Sequence, residues 1–129
     1  MKDMLHELML TLTEEPEILK IKETGGLKSY KRREELGKEM TSITVIPVGP
    51  PEQAGFGSNI SLGKHFIYQV SIEATDRMVC KELHKKVETL FQMKGFYQMP
   101  GGMDEHFIET QRFVDARFYQ GYSKLYEEY

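Results

Sequence analysis

Four histidines, one cysteine and a pair of adjacent carboxylates are the residues of this chain best suited to chemistry. His6, His65, His84 and His106 can each ligate a metal or move a proton, and Asp104 and Glu105 lie next to His106 in sequence. A metal centre or a small active site built on His84, His106 and Asp104 would need the fold to bring them together. The sequence favours reading the histidines as surface or boundary residues, with His84 at the edge of an apolar helical stripe. Cys80 is the only cysteine. In the first turns of a helix its pKa would fall and it would become a nucleophile. Beside the same stripe it serves as a small apolar residue, and that structural role is the favoured one. A single cysteine forms no intramolecular disulfide and no thiolate-rich zinc site.

The motifs that carry known chemistries are missing. There is no glycine-rich loop ending in Lys-Ser/Thr, no His-Glu-x-x-His and no Gly-x-Ser-x-Gly. Gly55-Phe56-Gly57 opens like a dinucleotide fingerprint, but no third glycine is correctly spaced and no helix is expected after it. The expectation is a non-enzymatic protein with no cofactor and no metal. Lys28, Lys31, Arg32 and Arg33 surround Tyr30 and could meet phosphates, but Glu34 and Glu35 follow at once. A solvated mixed-charge face is favoured, with Lys28, Arg32 and Arg33 as candidate protein contacts.

Composition narrows the class. The 129 residues suit one domain large enough to bury a core without disulfides. Apolar residues make up 40% and charged residues 29%, ordinary values for a folded domain. With 17 basic against 20 acidic side chains the formal charge is -3, which argues against a sequence-specific nucleic-acid binder. No signal peptide is evident, and no run approaches the about 18 apolar residues of a membrane span. No membrane partner is expected, and the expected compartment is the reducing cytoplasm.

The elements that must position these residues are readable in part. Leu5, Leu8, Met9 and Leu12 share one helical face, and Pro16 is expected to close that helix. Ile18 to Ile21 suggest a short strand, and Lys22 to Met40 a loop or frayed helix. Ile43 to Val48 reads as a strand, with Pro47 restricting it to an edge or a bulge. Gly49 to Gly63, rich in glycine and proline, is expected to be a long flexible loop. Its apolar Phe56, Ile60 and Leu62 are candidate protein-interaction residues.

Lys64 to Thr75 alternates strictly and predicts a strand. Asp76 is a good N-cap for a helix with Val79, Leu83, Val87, Leu90 and Phe91 on one side, and Gly95 is its stop. Phe96 to Met99 predicts a strand, Pro100 to Gly102 a turn or a loop reaching Glu105, and Phe107 to Tyr122 a long strand whose part around Phe113 to Tyr122 is expected to pair antiparallel with Lys64 to Thr75. Ser123 to Tyr129 is expected to be an exposed tail. Together these give an α+β fold, a mostly antiparallel sheet packed against two main helices.

Residues 43 to 122 carry a resemblance. A strand Tyr68 to Thr75, then Asp76-Arg77, an amphipathic helix over Lys81 to Gln92, Gly95-Phe96, acidic Asp104-Glu105 and an aromatic and arginine-rich strand from Arg112 to Tyr119 follow in order. This pattern resembles the tail-terminator and tail-completion proteins of siphophages and their prophages, especially those of Lactococcus and Listeria type. The resemblance implies an α+β subunit that forms a ring, commonly a hexamer, on the head-proximal end of the tail tube. Its partners would be further copies of itself, the tail-tube protein and a head-completion protein, in the virion tail and in the host cytoplasm during assembly. The isolated chain would be a monomer. A head-closure or other minor virion joining protein is the alternative. The resemblance implies no catalytic residue.

Overall fold

The computed structural model describes residues 1–57 and 60–129. Two helices lead, α1 (Met4–Leu12) and α2 (Pro16–Glu23). A short β1 (Leu27–Ser29) and β2 (Ser42–Pro47) follow, then β3 (Glu52–Gly57) and a long β4 (Ile60–Ala74). Helix α3 (Arg77–Met93) crosses to a terminal hairpin of β5 (Tyr97–Phe107) and β6 (Arg112–Tyr122). The six strands form one sheet in the order β1-β2-β4-β6-β5, with β3 pairing β4 off that path. All pairings are antiparallel except β1 with β2. The helices pack on one face of this sheet, so the fold is α+β.

Helix α3 forms where its sequence says it should. Cys80, Leu83, His84, Val87 and Phe91 recur at helical spacing and are all buried. Each large apolar side chain so buried contributes about 1.5–3 kcal/mol. The Asp76 carboxylate accepts from the Met78 N–H at 2.9 Å and caps the first turn. At the far end Gly95 sits at φ +78°, a left-handed conformation that glycine adopts without penalty. The Gly95 N–H then reaches Gln92 O at 3.0 Å and the Phe96 N–H reaches Phe91 O at 2.9 Å, which satisfies the last carbonyls.

The expected pairing of the two long strands is present. β4 and β6 run antiparallel from His65↔Tyr122 to Ala74↔Phe113. Directly opposed residues share a face. Phe66, Tyr68, Val70, Ile72 and Ala74 therefore lie on the same side as Gly121, Tyr119, Arg117, Asp115 and Phe113. This side meets the helices: Tyr119 and the β4 residues belong to the core with Leu8, Leu12, Ile18, Leu83, Val87 and Phe91.

Several sequence expectations are corrected. Ile18 to Ile21 is helix, not strand. Pro16 occupies the first turn of α2 rather than only ending α1, and Glu15 caps it by accepting from the Glu17 N–H at 3.3 Å. Lys22 to Met40 is not simply loop, because Leu27 is buried and Leu27–Ser29 add a parallel strand to β2. Pro100 to Gly102 is not a turn but an irregularity inside β5, where the register with β6 shifts between Met99 and Met103. Gly102 lies there at φ +113°, and a Cβ on it would stand 2.1 Å from Ala116 O. The hairpin turn falls at 108–111 instead, splitting the expected strand Phe107 to Tyr122.

The largest correction concerns Gly49 to Gly63, read as a long loop. Glu52–Gly57 and Ile60–Ala74 form a hairpin with Glu52↔His65, Ala54↔Gly63 and Gly57↔Ile60 in register. Ser58 and Asn59 lie outside the described residues. The backbone ladder builds this hairpin without a core beneath it, so it leaves little side-chain periodicity. The C-terminal tail is also tied down. Ser123 is buried, the Ser123 N–H reaches Lys64 O at 2.9 Å and the Tyr126 N–H reaches Leu62 O at 2.7 Å. Pro47, as expected, sits where β2 has outrun its short neighbour β1, which pairs only as far as Ser29↔Val45.

Candidate functional site

Two regions hold the residues of interest, and they differ in access. The first is a polar network between α3 and β6. Asp115 is on the helix-facing side of β6 and is buried. Its carboxylate accepts from Lys81 Nζ at 2.7 Å and from the Arg117 guanidinium at 3.0 and 3.1 Å. Lys81 also bonds Asp104 on β5. His84, fully buried, donates from Nε2 to the Asp115 backbone carbonyl at 2.6 Å. A carbonyl only accepts, so Nε2 carries the proton and Nδ1 is left to accept from the Tyr119 hydroxyl at 3.4 Å.

Burial sets much of the electrostatics of this network. Burial pushes His84 down to about 4, against the upward pull of the Asp115 carbonyl and carboxylate, so the ring is neutral at pH 7. Burial opposes ionisation of Asp115, but the hydrogen bonds from Arg117 and Lys81 prevail and hold it below the usual carboxylate range. Burial pushes the Cys80 thiol up to about 11. Its Sγ lies 3.6 Å from Ile72 O and Phe113 O. Desolvation therefore dominates at Cys80, and the thiolate a nucleophile needs is disfavoured.

The expectation that His84 lies at the surface or boundary is corrected: it is a core residue whose polar atoms are satisfied. The other histidines go elsewhere. His65 bonds Gln120 at 3.0 Å, His106 stacks on Phe113 and His6 is exposed. Among the described residues no group of three or more His, Cys, Asp or Glu is placed to hold a metal ion.

The second region is an arm. β3 and the first half of β4 run beyond the helix-covered sheet, with residues 123 to 126 bonded along the other side of β4. Phe56 and Ile60, at the arm's end, are 63% and 65% exposed, and Leu62 is half-buried. At the arm's base lies a cleft of about 530 Å³ whose walls include Tyr30, Pro47, Pro50, Pro51, Tyr68 and Tyr129. Phe66 and Tyr129 meet edge to face there, 5.5 Å between centroids.

The candidate contact residues therefore separate into two places. Phe56, Ile60 and Leu62 all lie on the arm, Ile60 and Leu62 on one face and Phe56, opposed to Ser61, on the other. Lys28, Arg32 and Arg33 lie beside β1. Lys28 and Arg33 are exposed, and Arg33 pairs with Glu35 at 3.4 Å. Arg32 is half-buried and acts structurally, donating to Ser42 Oγ at 3.2 Å and Gly37 O at 3.0 Å. Arg112 donates to the same turn, to Lys38 O at 2.7 Å and Gly37 O at 3.0 Å. The two arginines fix the irregular segment that sequence reading left open.

Sequence reasoning did not assemble the network of Lys81, His84, Asp115, Arg117 and Tyr119. A signal was present: Asp115, Arg117 and Tyr119 share one strand parity, and Lys81 and His84 share one helix face. Compared with known proteins, the sequence matches no family model and no curated relative.

Proposed function

We propose that this chain is a structural, non-enzymatic subunit that caps the head-proximal end of a phage tail tube and joins it to head-completion proteins. The observation that carries this reading is the contrast in access. His84 and Asp115, at the centre of the ionisable cluster, are buried between helix and sheet, while apolar Phe56 and Ile60 stand outside on a projecting arm. A chain that hides its polar groups and exposes apolar ones on an arm is suited to binding proteins rather than to turning over a small substrate. The strand–helix–strand resemblance of residues 43 to 122 supplies the particular setting. In that setting copies of the chain would form a ring, commonly six, on the tube end.

The test is assembly. Purified chain mixed with polymerising tail-tube protein should bind tube ends and stop their growth, visible in electron micrographs as tubes of bounded length. Deleting the gene in the phage should leave overlong tubes without heads. Tubes that grow unchecked in the presence of the chain, or normal tails in its absence, would overturn the reading.

A further inference from the structure

We infer that residues 123 to 129 form a displaceable strap, and that the seat they occupy on β4 accepts an extended strand of a different protein, one with an aromatic residue and carboxylates just before it. The seat begins where β6 ends. β4 and β6 pair as far as His65↔Tyr122, so Ser123 opposes Lys64, and continued pairing would set Leu125 opposite Leu62. The ladder fails there. The Ser123 N–H reaches Lys64 O at 2.9 Å, but the Lys64 N–H is met by the Ser123 side-chain Oγ, also at 2.9 Å, in place of a backbone carbonyl. The N–H that reaches Leu62 O, at 2.7 Å, belongs to Tyr126, one residue out of register. The slip is taken up at Tyr126, whose φ of +66° is left-handed and unfavourable for a bulky side chain.

The seat has apolar, aromatic and charged parts. Leu125 fills the space over Gly55 and Gly63. Tyr129 meets the buried Phe66 edge to face and forms one wall of the cleft of about 530 Å³. Lys2 Nζ pairs with Glu127 at 2.8 Å and lies 5.9 Å from the centroid of the Tyr129 ring. The Lys2 N–H donates to Glu128 O at 2.8 Å. Backbone bonds along a strand edge, with places for particular side chains, are how proteins recognise an extended peptide.

The strain in the strap selects its replacement. As a tethered segment the strap holds the seat through its effective concentration, while the left-handed Tyr126 and the missing ladder bond weaken its hold. A second copy of the chain would bring the same segment with the same slip, so an exchange between copies gains no bond and loses the freedom of two molecules. A partner strand that keeps the β6 register past Leu62 makes the bonds the strap forgoes and needs no left-handed residue. Its carboxylate takes the place of Glu127 beside Lys2, and its aromatic ring the place of Tyr129 against Phe66. The inference stands on the chain's own surface and does not rest on the tail-capping reading.

The probes are a fluorescein-labelled peptide of sequence 123 to 129 and the same peptide with Tyr126→Val, which favours an extended backbone. Binding to the full chain is read by fluorescence anisotropy. Tyr129→Ala in the chain weakens the strap and leaves the seat, so it should bind both peptides at least about tenfold more tightly than wild type. The Tyr126→Val peptide should bind the more tightly of the two. On a Cys80→Ser background, Lys2→Cys and Glu127→Cys bridged by a short bis-maleimide hold the strap down. The bridged protein should bind neither peptide, and the same protein with each thiol capped singly should still bind. The wild type carries the test without a substitution: excess peptide should speed exchange of the chain's own Tyr126 amide, because its bond to Leu62 O is given up. Four results overturn the inference: no binding to the Tyr129→Ala chain, equal binding to bridged and capped proteins, a Tyr126 amide unchanged while peptide is bound, or straps exchanged between copies as a dimer that excess peptide does not dissociate in sedimentation.

Discussion

β4 lives in two environments along its fifteen residues. From Phe66 to Ala74 every second side chain is buried under the helices. From Ile60 to Lys64 the same strand loses that cover, and Ile60 is exposed while Leu62 is half-buried. The first stretch is a strand because its side chains demand one buried face. The second is a strand because its backbone finds partners on both sides, β3 and residues 123 to 126. Side-chain burial gives the body its stability, and the arm's ladder gives it reach. The following expectations, taken from the largest effect to the smallest, bear on that division.

Leu83→Ala should cost about 2–5 kcal/mol, because Leu83 is 1% exposed in the layer between α3 and the sheet. Denaturant melts giving well under about 1 kcal/mol would mean that the helix-covered half does not hold the fold. The sequence placed Leu90 on the same stripe, but it is only half-buried. Its truncation to alanine should cost clearly less than that of Leu83.

The polar joint makes stability depend on pH. In the unfolded chain His84 takes a proton at its ordinary pKa of 6.5, whereas in the fold it does so only at about 4. Between these values the unfolded state binds more protons, so stability falls as pH falls, and the contribution is complete above that window. The loss from this group approaches about 3 kcal/mol at the lower limit. Asp115, held below its ordinary 3.8, loses its contribution only further down, as pH falls through its lowered folded value. Melts of wild type and His84→Gln across the window should show a steeper pH slope for the wild type. Parallel slopes would acquit His84 of acid sensitivity.

The division also explains what the sequence disclosed. Strand 64 to 75 and α3 were legible because burial stamps a period of two or 3.6 on the side chains. The α+β class and the β4–β6 pairing followed from them. The arm was not legible, since Glu52-Gln53-Ala54-Gly55-Phe56-Gly57 has neither alternation nor β-branched residues. Pro100-Gly101-Gly102 misled for a related reason: the residues that make a turn also make a bulge. The Asp115 network needed one further fact, namely which parity of β6 faces the helices. Charged Asp115 and Arg117 alternate with apolar Val114 and Ala116, so hydrophobicity alone points the wrong way. Of the candidate contacts, Phe56 and Ile60 were legible as apolar residues amid glycine, although the element carrying them was not.

The smallest expected effect sharpens the comparison most. Phe56→Lys should change stability by no more than about 0.5 kcal/mol, since the side chain is already 63% exposed and removes little apolar surface from water on folding. Hydrogen exchange supplies the independent measure. Amides of Val70 and Ile72, paired on both sides by β2 and β6 and covered by α3, should open only with global unfolding. Amides of Gln53 to Gly57, paired to β4 alone, should exchange through local opening at much lower free energy. Arm amides as slow as those of Val70 in the dilute monomer would show that the arm shares the body's stability. Such a result would end the distinction between a strand made by burial and a strand made by its ladder.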